Sequence, residues 1–428
     1  MKRTNRGARL LALLAILVLV VAACGRDDDD GGGASGGGDE GGTPTEVPGF
    51  DGTTIRVGAI TPQSGVAAVI GNPLTNGNRV FFEALNEEEG GIAGKYPVEL
   101  EIGDSRYEPP TAVQVYNGMK DDVVMLVQLL GTPITTAVLP QLRTDDIVAS
   151  PASLDAEWVR DENLLPLGGP YQVQAINALQ YYVTDRRGEG STICTLTKDD
   201  PYGEAGLEGV EFAAEELDFE IAESVTFSAG SEDYTAQIDQ LQGANCEMVW
   251  LTALPTEASP ILERAGAAGF DPQWIGQSPT WVSVFAETYA SVNYLLVSEG
   301  PAWGDDSVPG MAQMLEDVEQ YAPDQEPDIY FAFGYAQAWA TAQLLEQAVE
   351  NGDLSREGMK TALADLEKLE FDGLLGDYAY PAGGGIEDRN PPRVSTIFEI
   401  DAAAPGGLGA VETNFTSDAA EAYEFEGG

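Results

Sequence analysis

The stretch Asp121–Pro151, DDVVMLVQLLGTPITTAVLPQLRTDDIVASP, carries two short apolar runs, Val123–Leu130 and Ile147–Ala149, on either side of a segment that opens with Gly131-Thr132-Pro133. Each run has the length of a strand. An apolar run followed at once by Gly, Thr and Pro, and then by Ala, Val and Leu, reads as a buried parallel strand feeding a helix that begins at Thr135-Thr136. In parallel sheets ligands gather outside the carboxyl ends of the strands, where first-turn N–H groups are unpaired. Thr135 and Thr136 are therefore candidate partners for an anionic or strongly polar group, while Thr135 equally fits a helix cap with no ligand. The second run ends in Ser150-Pro151-Ala152-Ser153, a polar loop expected at the same sheet edge. Two strand ends so close in sequence define half of a binding cleft.

Outward from this stretch the alternation of strand and helix continues in both directions. Thr54–Ile60 reads as a strand with a loop at Ser64-Gly65, followed by a helix through Asn78–Asn86, a turn at Gly90–Gly94, a strand at Val98–Ile102 and a helix at Thr111–Lys120. From Tyr171 the pattern begins again. Helix Val173–Thr184, strand Thr192–Leu196, helix Glu204–Leu217, strand Ile221–Phe227, helix Tyr234–Gln242, strand Met248–Leu251 and helix Glu257–Ala268 make a second α/β unit. Two similar α/β lobes in tandem imply a cleft between them.

The 428 residues exceed one core and fit two domains once a leader and linker are removed. Against 71 acidic residues stand 21 basic ones, a formal charge of −50 that repels nucleic acid and anionic lipid. No histidine is present, which removes the usual general base, the Ser-His-Asp triad and His-ligated metal sites. No cofactor or metal is expected.

Lys2, Arg3, Arg6 and Arg9 precede an apolar run from Leu10 to Ala23 with the proportions of a signal peptide. The run ends in Val21-Ala22-Ala23-Cys24-Gly25, which resembles a bacterial lipobox with Cys24 as the lipidated first residue. An Asp-, Gly- and Thr-rich tether follows. Cys194 and Cys246 remain, in an exported setting; they form one disulfide or stay as two buried thiols.

Several local motifs recur here in order: Ile55-Arg56-Val57-Gly58 with Ser64-Gly65, Asn86 before Gly90-Gly91-Ile92-Ala93-Gly94, the Gly131 strand end, Ser150-Pro151-Ala152, Asp200-Pro201-Tyr202-Gly203-Glu204, Asp233-Tyr234-Thr235-Ala236-Gln237-Ile238, and Leu262 through Ala268-Gly269-Phe270. On these, from about Thr54 to Ile400, the chain resembles the type I periplasmic binding proteins, in particular the Leu/Ile/Val-type substrate-binding proteins of ABC transporters. The resemblance implies two Rossmann-like doubly wound lobes joined by a three-segment hinge, crossed near Tyr171, Pro301 and Asn390. It divides the chain into a signal peptide (1–23), a lipid-anchored disordered linker (24–52), a first lobe (53–171 and 302–390), a second lobe (172–301 and 391–402) and a loose acidic tail (403–428).

By the same resemblance a ligand carboxylate is held at Thr135 and around Ala152, Ser153 and Leu154, with Ser64 nearby, and Tyr202 faces it from the second lobe. The sequence departs where the family carries its ammonium-binding Glu, since Ser278 stands there. Leu254 or Pro255 replaces a further tyrosine and Leu154 a threonine. A buried ammonium without a carboxylate is poorly compensated, so Glu257 or Asp200 would have to substitute. Trp281 and Tyr171 are candidate aromatic walls or core residues.

The function so implied is a lipid-anchored solute-binding protein, expected as a monomer, that closes on an amino acid, amide or carboxylate and docks on a membrane permease. A ligand-sensing receptor of the same fold is the alternative. Enzyme chemistry lacks a histidine, a nucleophile elbow and a phosphate loop.

Overall fold

The computed structural model describes residues 44–186, 188–381 and 385–425. The leader, Cys24 and most of the tether lie outside them. The first lobe is built on β1 (Ile55–Thr61), helix α1 (Ala68–Ala84), β2 (Val98–Asp104), α2 (Pro109–Met119), β3 (Met125–Leu130), α3 (Thr132–Asp145) and β4 (Ala149–Ala152). The four strands form a parallel sheet in the order β2-β1-β3-β4. Every residue of β3 is buried, as a central strand covered by helices on both faces requires. Its single polar residue is satisfied: Gln128 donates to the Thr61 hydroxyl at 2.7 Å and accepts from Thr75 at 3.3 Å.

The second lobe contains α4 (Tyr171–Thr184), β5 (Ile193–Lys198), α5 (Pro201–Glu216), β6 (Ile221–Phe227), α6 (Thr235–Gly243), β7 (Met248–Thr252), α7 (Pro255–Ala268), β8 (Gln273–Gln277) and β9 (Tyr294–Ser298). The chain then returns to the first lobe's core as α8 (Pro309–Tyr321), α9 (Ile329–Glu350), α10 (Arg356–Asp365) and a two-residue ribbon of β10 (Lys368–Leu369) with β11 (Tyr378–Ala379). Helix α9 lies along α1, where the Asn78 amide donates to the Gly334 carbonyl at 2.7 Å. The last pass adds β12 (Ser395–Ile400) and β13 (Leu408–Phe415) antiparallel to the edge of the second sheet, whose order is β13-β12-β9-β8-β7-β5-β6. Helix α11 (Asp418–Ala422) packs on α4.

Three chain crossings run side by side between the lobes. The Gly169 N–H donates to Glu299 at 2.8 Å, and the Thr396 hydroxyl donates to the Gly300 carbonyl at 2.6 Å. Cys194 and Cys246 are joined in a disulfide with Cα atoms 5.8 Å apart, within the second lobe's core.

Several expectations are corrected by these contacts. The tail 403–428 is not loose up to Phe425: β13 pairs with β12, and Tyr423 packs edge-on against Phe212 at 5.0 Å. Gly- and acid-rich composition hid its apolar Leu408 and Tyr423, which are buried. The linker ends before residue 52, because Phe50 is buried against Tyr96 at 5.1 Å and Val47 and Phe50 exchange backbone hydrogen bonds. Helix α3 starts at Thr132 rather than Thr135, since Pro133 suits the first helical turn and Gly131, at φ 106, makes the turn out of β3. Ser150, Pro151 and Ala152 belong to β4 instead of a polar loop.

Candidate functional site

A narrow cavity of about 70 Å3 opens between the lobes and runs to the hinge. From the first lobe it is lined by Ile70, Leu74, Ala152, Leu154 and Phe333, and from the second by Ser278 and Pro279. Ser298, Glu299, Gly300 and Pro301 of the hinge form one end, with Met311, Leu374 and Leu375 beside them. Tyr171 and Tyr330 complete the wall. The surface is therefore that of an aliphatic and aromatic slot with few polar groups.

The lobes touch around this slot. Leu254, in the turn before α7, is buried against Ala67, Ile70, Leu74 and Leu130 of the first lobe. The Tyr330 hydroxyl donates to the Trp281 carbonyl at 2.6 Å, and Thr256 donates to the Val66 carbonyl at 3.1 Å. Leu254 thus fills with apolar packing a position where the resemblance implies a polar one.

Of the residues read from sequence, Ala152, Leu154, Tyr171 and Ser278 line the cavity. Tyr202 lies in the first turn of α5, not in a loop, with its ring edge-on to Tyr171 at 5.2 Å. Its hydroxyl is buried without a hydrogen-bond partner, and burial raises its pKa well above the ordinary tyrosine value. Thr135 is fully buried, its hydroxyl 3.4 Å from the Leu129 carbonyl, and Thr136 donates back to the Thr132 carbonyl at 2.9 Å. Both lie within the helix because it starts three residues earlier than its sequence suggests; the Thr136 hydroxyl bonds the preceding turn, and the Thr135 hydroxyl turns to the end of β3. Ser64 is a turn residue, donating to Asp104 at 2.6 Å. Ser153 accepts from the Trp158 indole at 2.9 Å. Trp281 belongs to the second lobe's core, donating to the Gly406 carbonyl at 3.2 Å. None of Tyr202, Thr135, Thr136, Ser64, Ser153 and Trp281 lines the cavity.

The two substitute acids are engaged elsewhere. Lys198, at the end of β5 and only 3% exposed, holds Glu257 at 3.1 Å and Asp200 at 3.4 Å. Asp200 also caps α5 through the Gly203 N–H, and Glu257 accepts from the Leu254 N–H at 2.9 Å. The Lys198 ammonium further sits 5.3 Å from the centre of the Tyr107 ring. This cluster closes on itself, which sequence spacing did not show.

The acid that sequence reasoning missed is Glu299. It follows β9 directly, and one carboxyl oxygen accepts from Gly169 while the other is buried with no partner. Both oxygens pack against Gly168, where an added Cβ would meet them at 2.2 and 2.6 Å, so the close approach demands glycine there. Removal from water pushes the Glu299 carboxyl up to about 8, only partly offset by the Gly169 hydrogen bond. Its sole sequence signal is an acid between an apolar strand and Gly300-Pro301.

Residues 54–404 match the family model described as periplasmic binding protein. The chain belongs to that family. It is similar to the Leu/Ile/Val-binding protein homolog 1 of Brucella abortus, 23% identical over 338 residues and covering 77% of this chain and 87% of that protein. It is also similar to the leucine-, isoleucine-, valine-, threonine- and alanine-binding protein of Pseudomonas aeruginosa, 24% identical over 230 residues, 52% of this chain and 60% of that one. Among solved structures, a fatty acid ABC transporter substrate-binding protein from Thermomonospora curvata superposes with a TM-score of 0.82 at 24% identity, covering 90% of this chain and 98% of that one. A branched-chain amino acid ABC transporter protein from Thermus thermophilus with bound valine superposes at 0.70 and 18% identity, covering 86% and 98%. As a member of that family this chain is a solute-binding protein of the periplasmic type. Among the described residues no helix is long and apolar enough to cross a membrane.

Proposed function

We propose that this binding protein captures a small molecule with an extended apolar body, held in the slot between the lobes, and hands it to a membrane permease while tethered through a lipid on Cys24. The observation that carries this reading is the slot itself: Ile70, Leu74, Leu154, Met311, Phe333, Leu374 and Leu375 line it out to the hinge. An alkyl chain entering such a slot gains roughly 0.8 kcal/mol per buried methylene, and among the described residues the one carboxyl that lines the slot, Glu299, stands at its hinge end. Binding energy is spent on holding the lobes together around the ligand, with no bond chemistry.

Hydrophobic amino acids are the second reading, favoured by the names of the curated relatives. Thermal unfolding of the chain from Gly25 onward separates the two. A ligand at a hundredfold excess over its Kd stabilises by about 2.7 kcal/mol. Octanoate and other medium-chain acids are expected to raise Tm, and Leu, Ile and Val to leave it unchanged. The reverse pattern would return the chain to amino-acid binding.

A further inference from the structure

Among the described acids beside the cleft, Asp200, Glu257 and Asp328 each have a counter-charge or a helix to cap. Lys198 holds Asp200 and Glu257. Asp328 caps α9 by accepting from the Tyr330 and Phe331 N–H groups. Glu299 alone lines the cavity with a buried oxygen that no donor reaches. Polar groups left this way in a cavity are where a ligand's polar end belongs, because the ligand then recovers a cost that the empty protein bears.

We propose that Glu299 is the head-group residue of the cleft, binding the carboxylate of an alkyl monocarboxylate through one proton held between the two carboxyl groups. The inference rests on the reading of the slot as a site for an apolar-bodied ligand and adds its polar end and its orientation, head at the hinge. The surroundings of Glu299 select this chemistry. From the first crossing it meets Gly168 and Gly169, with Tyr171 close enough to feel its charge; Met311 of α8, Leu374 and Leu375 of the turn before β11, and Tyr330 and Phe333 of α9 line the same cavity. The only titratable groups in that set are the tyrosines Tyr171 and Tyr330, both raised by burial, and no cation lines the cavity. A ligand carboxylate here finds no positive charge to pair with, and two ionised carboxylates in so apolar a site repel strongly. One shared proton resolves both problems. The proton comes from Glu299, which keeps it up to about pH 8 in the empty cleft, and the ligand arrives ionised. Its O–H donates to a ligand oxygen while its other oxygen keeps the Gly169 N–H.

The test is isothermal titration of the wild-type chain and of Glu299→Gln with octanoate and octylamine between pH 7 and 9.5 at constant ionic strength. Octanoate remains ionised throughout, so its affinity for the wild type is expected to fall about thirtyfold across this range as Glu299 loses its proton near 8. In Glu299→Gln the amide N–H donates without titrating, and the fall is expected to disappear. At pH 9.5 the variant then binds octanoate more tightly than the wild type does. A flat wild-type profile, or a variant that keeps the thirtyfold fall, overturns the role of Glu299 while leaving the apolar-ligand reading standing. Tighter octylamine than octanoate binding that Glu299→Gln abolishes would show Glu299 acting as an ionised partner of an ammonium and also overturns the proposal. If neither probe binds at any pH, the reading of the slot falls and the inference with it.

Discussion

The two ends of the cleft treat a buried carboxylate in opposite ways. At the strand-end side Lys198 gathers Asp200 and Glu257, and each acid also accepts a backbone N–H, so the group is complete without a ligand. At the hinge end Glu299 has one backbone donor, no cation and an unpartnered oxygen. Burial is similar at the two ends; what differs is the company. Complete clusters hold a fold in place, and incomplete ones are left for something that arrives later.

The largest test of that contrast is Lys198→Met. It strips the only close cation from two acids at the completed end and is expected to cost about 3–5 kcal/mol in urea unfolding. A loss below about 1 kcal/mol would mean that the cluster is wet and not closed. Adding Glu257→Gln to the same variant should recover part of the loss, because one uncompensated charge is then gone.

At the hinge end the expectation is inverted. The Glu299 carboxyl is raised from 4.5 to about 8 on folding, so the folded chain keeps a proton that the unfolded chain has already released. Its favourable contribution is complete below about pH 4.5 and is lost progressively as pH rises through 8. Glu299→Gln should therefore be more stable than the wild type at pH 9, by about 1–3 kcal/mol if the whole cost of the unpaired group is relieved. Equal stability of the two at pH 9 and at pH 5 would place the carboxyl in water.

Smaller effects separate the residues between these ends. Tyr202→Phe keeps the ring against Tyr171 and removes a hydroxyl without a partner, so unfolding is expected to stay within about 1 kcal/mol of the wild type. A larger loss would reveal a partner for that hydroxyl. Ser64→Ala, at an exposed turn outside the cavity, should change stability by about 0.5 kcal/mol or less and leave octanoate affinity unchanged.

Much of the scaffold was legible because its signals are local. The buried run of β3, the Gly131-Thr132-Pro133 break and the second set of strands after Tyr171 follow from strand-length apolar runs and helix-start residues. Reading the helix start at Thr135 went wrong by one turn, and that shift moved two hydroxyls from the ligand to backbone carbonyls, one at the end of β3 and one in the first turn of α3. Strand β13 was illegible because it and the turn before it lie in a Gly- and acid-rich stretch that carries no clear alternation, while its partner β12 is a plain apolar run.

The amino-acid sequence by itself determined the two α/β lobes, the cysteine pair, the departure at Ser278 and the apolar Leu154, since each is a matter of residue type and near-neighbour pattern. The tertiary structure alone decided which acid is free. Asp200 lies two residues from Lys198 and Glu257 reaches it through the pairing of β5 with β7, whereas the packing of the chain crossings leaves Glu299 facing Gly168 and an apolar slot. The physical reason is that a carboxylate's role is set by the charges and donors within a few ångströms of it, and those of Glu299 come from segments far apart along the chain.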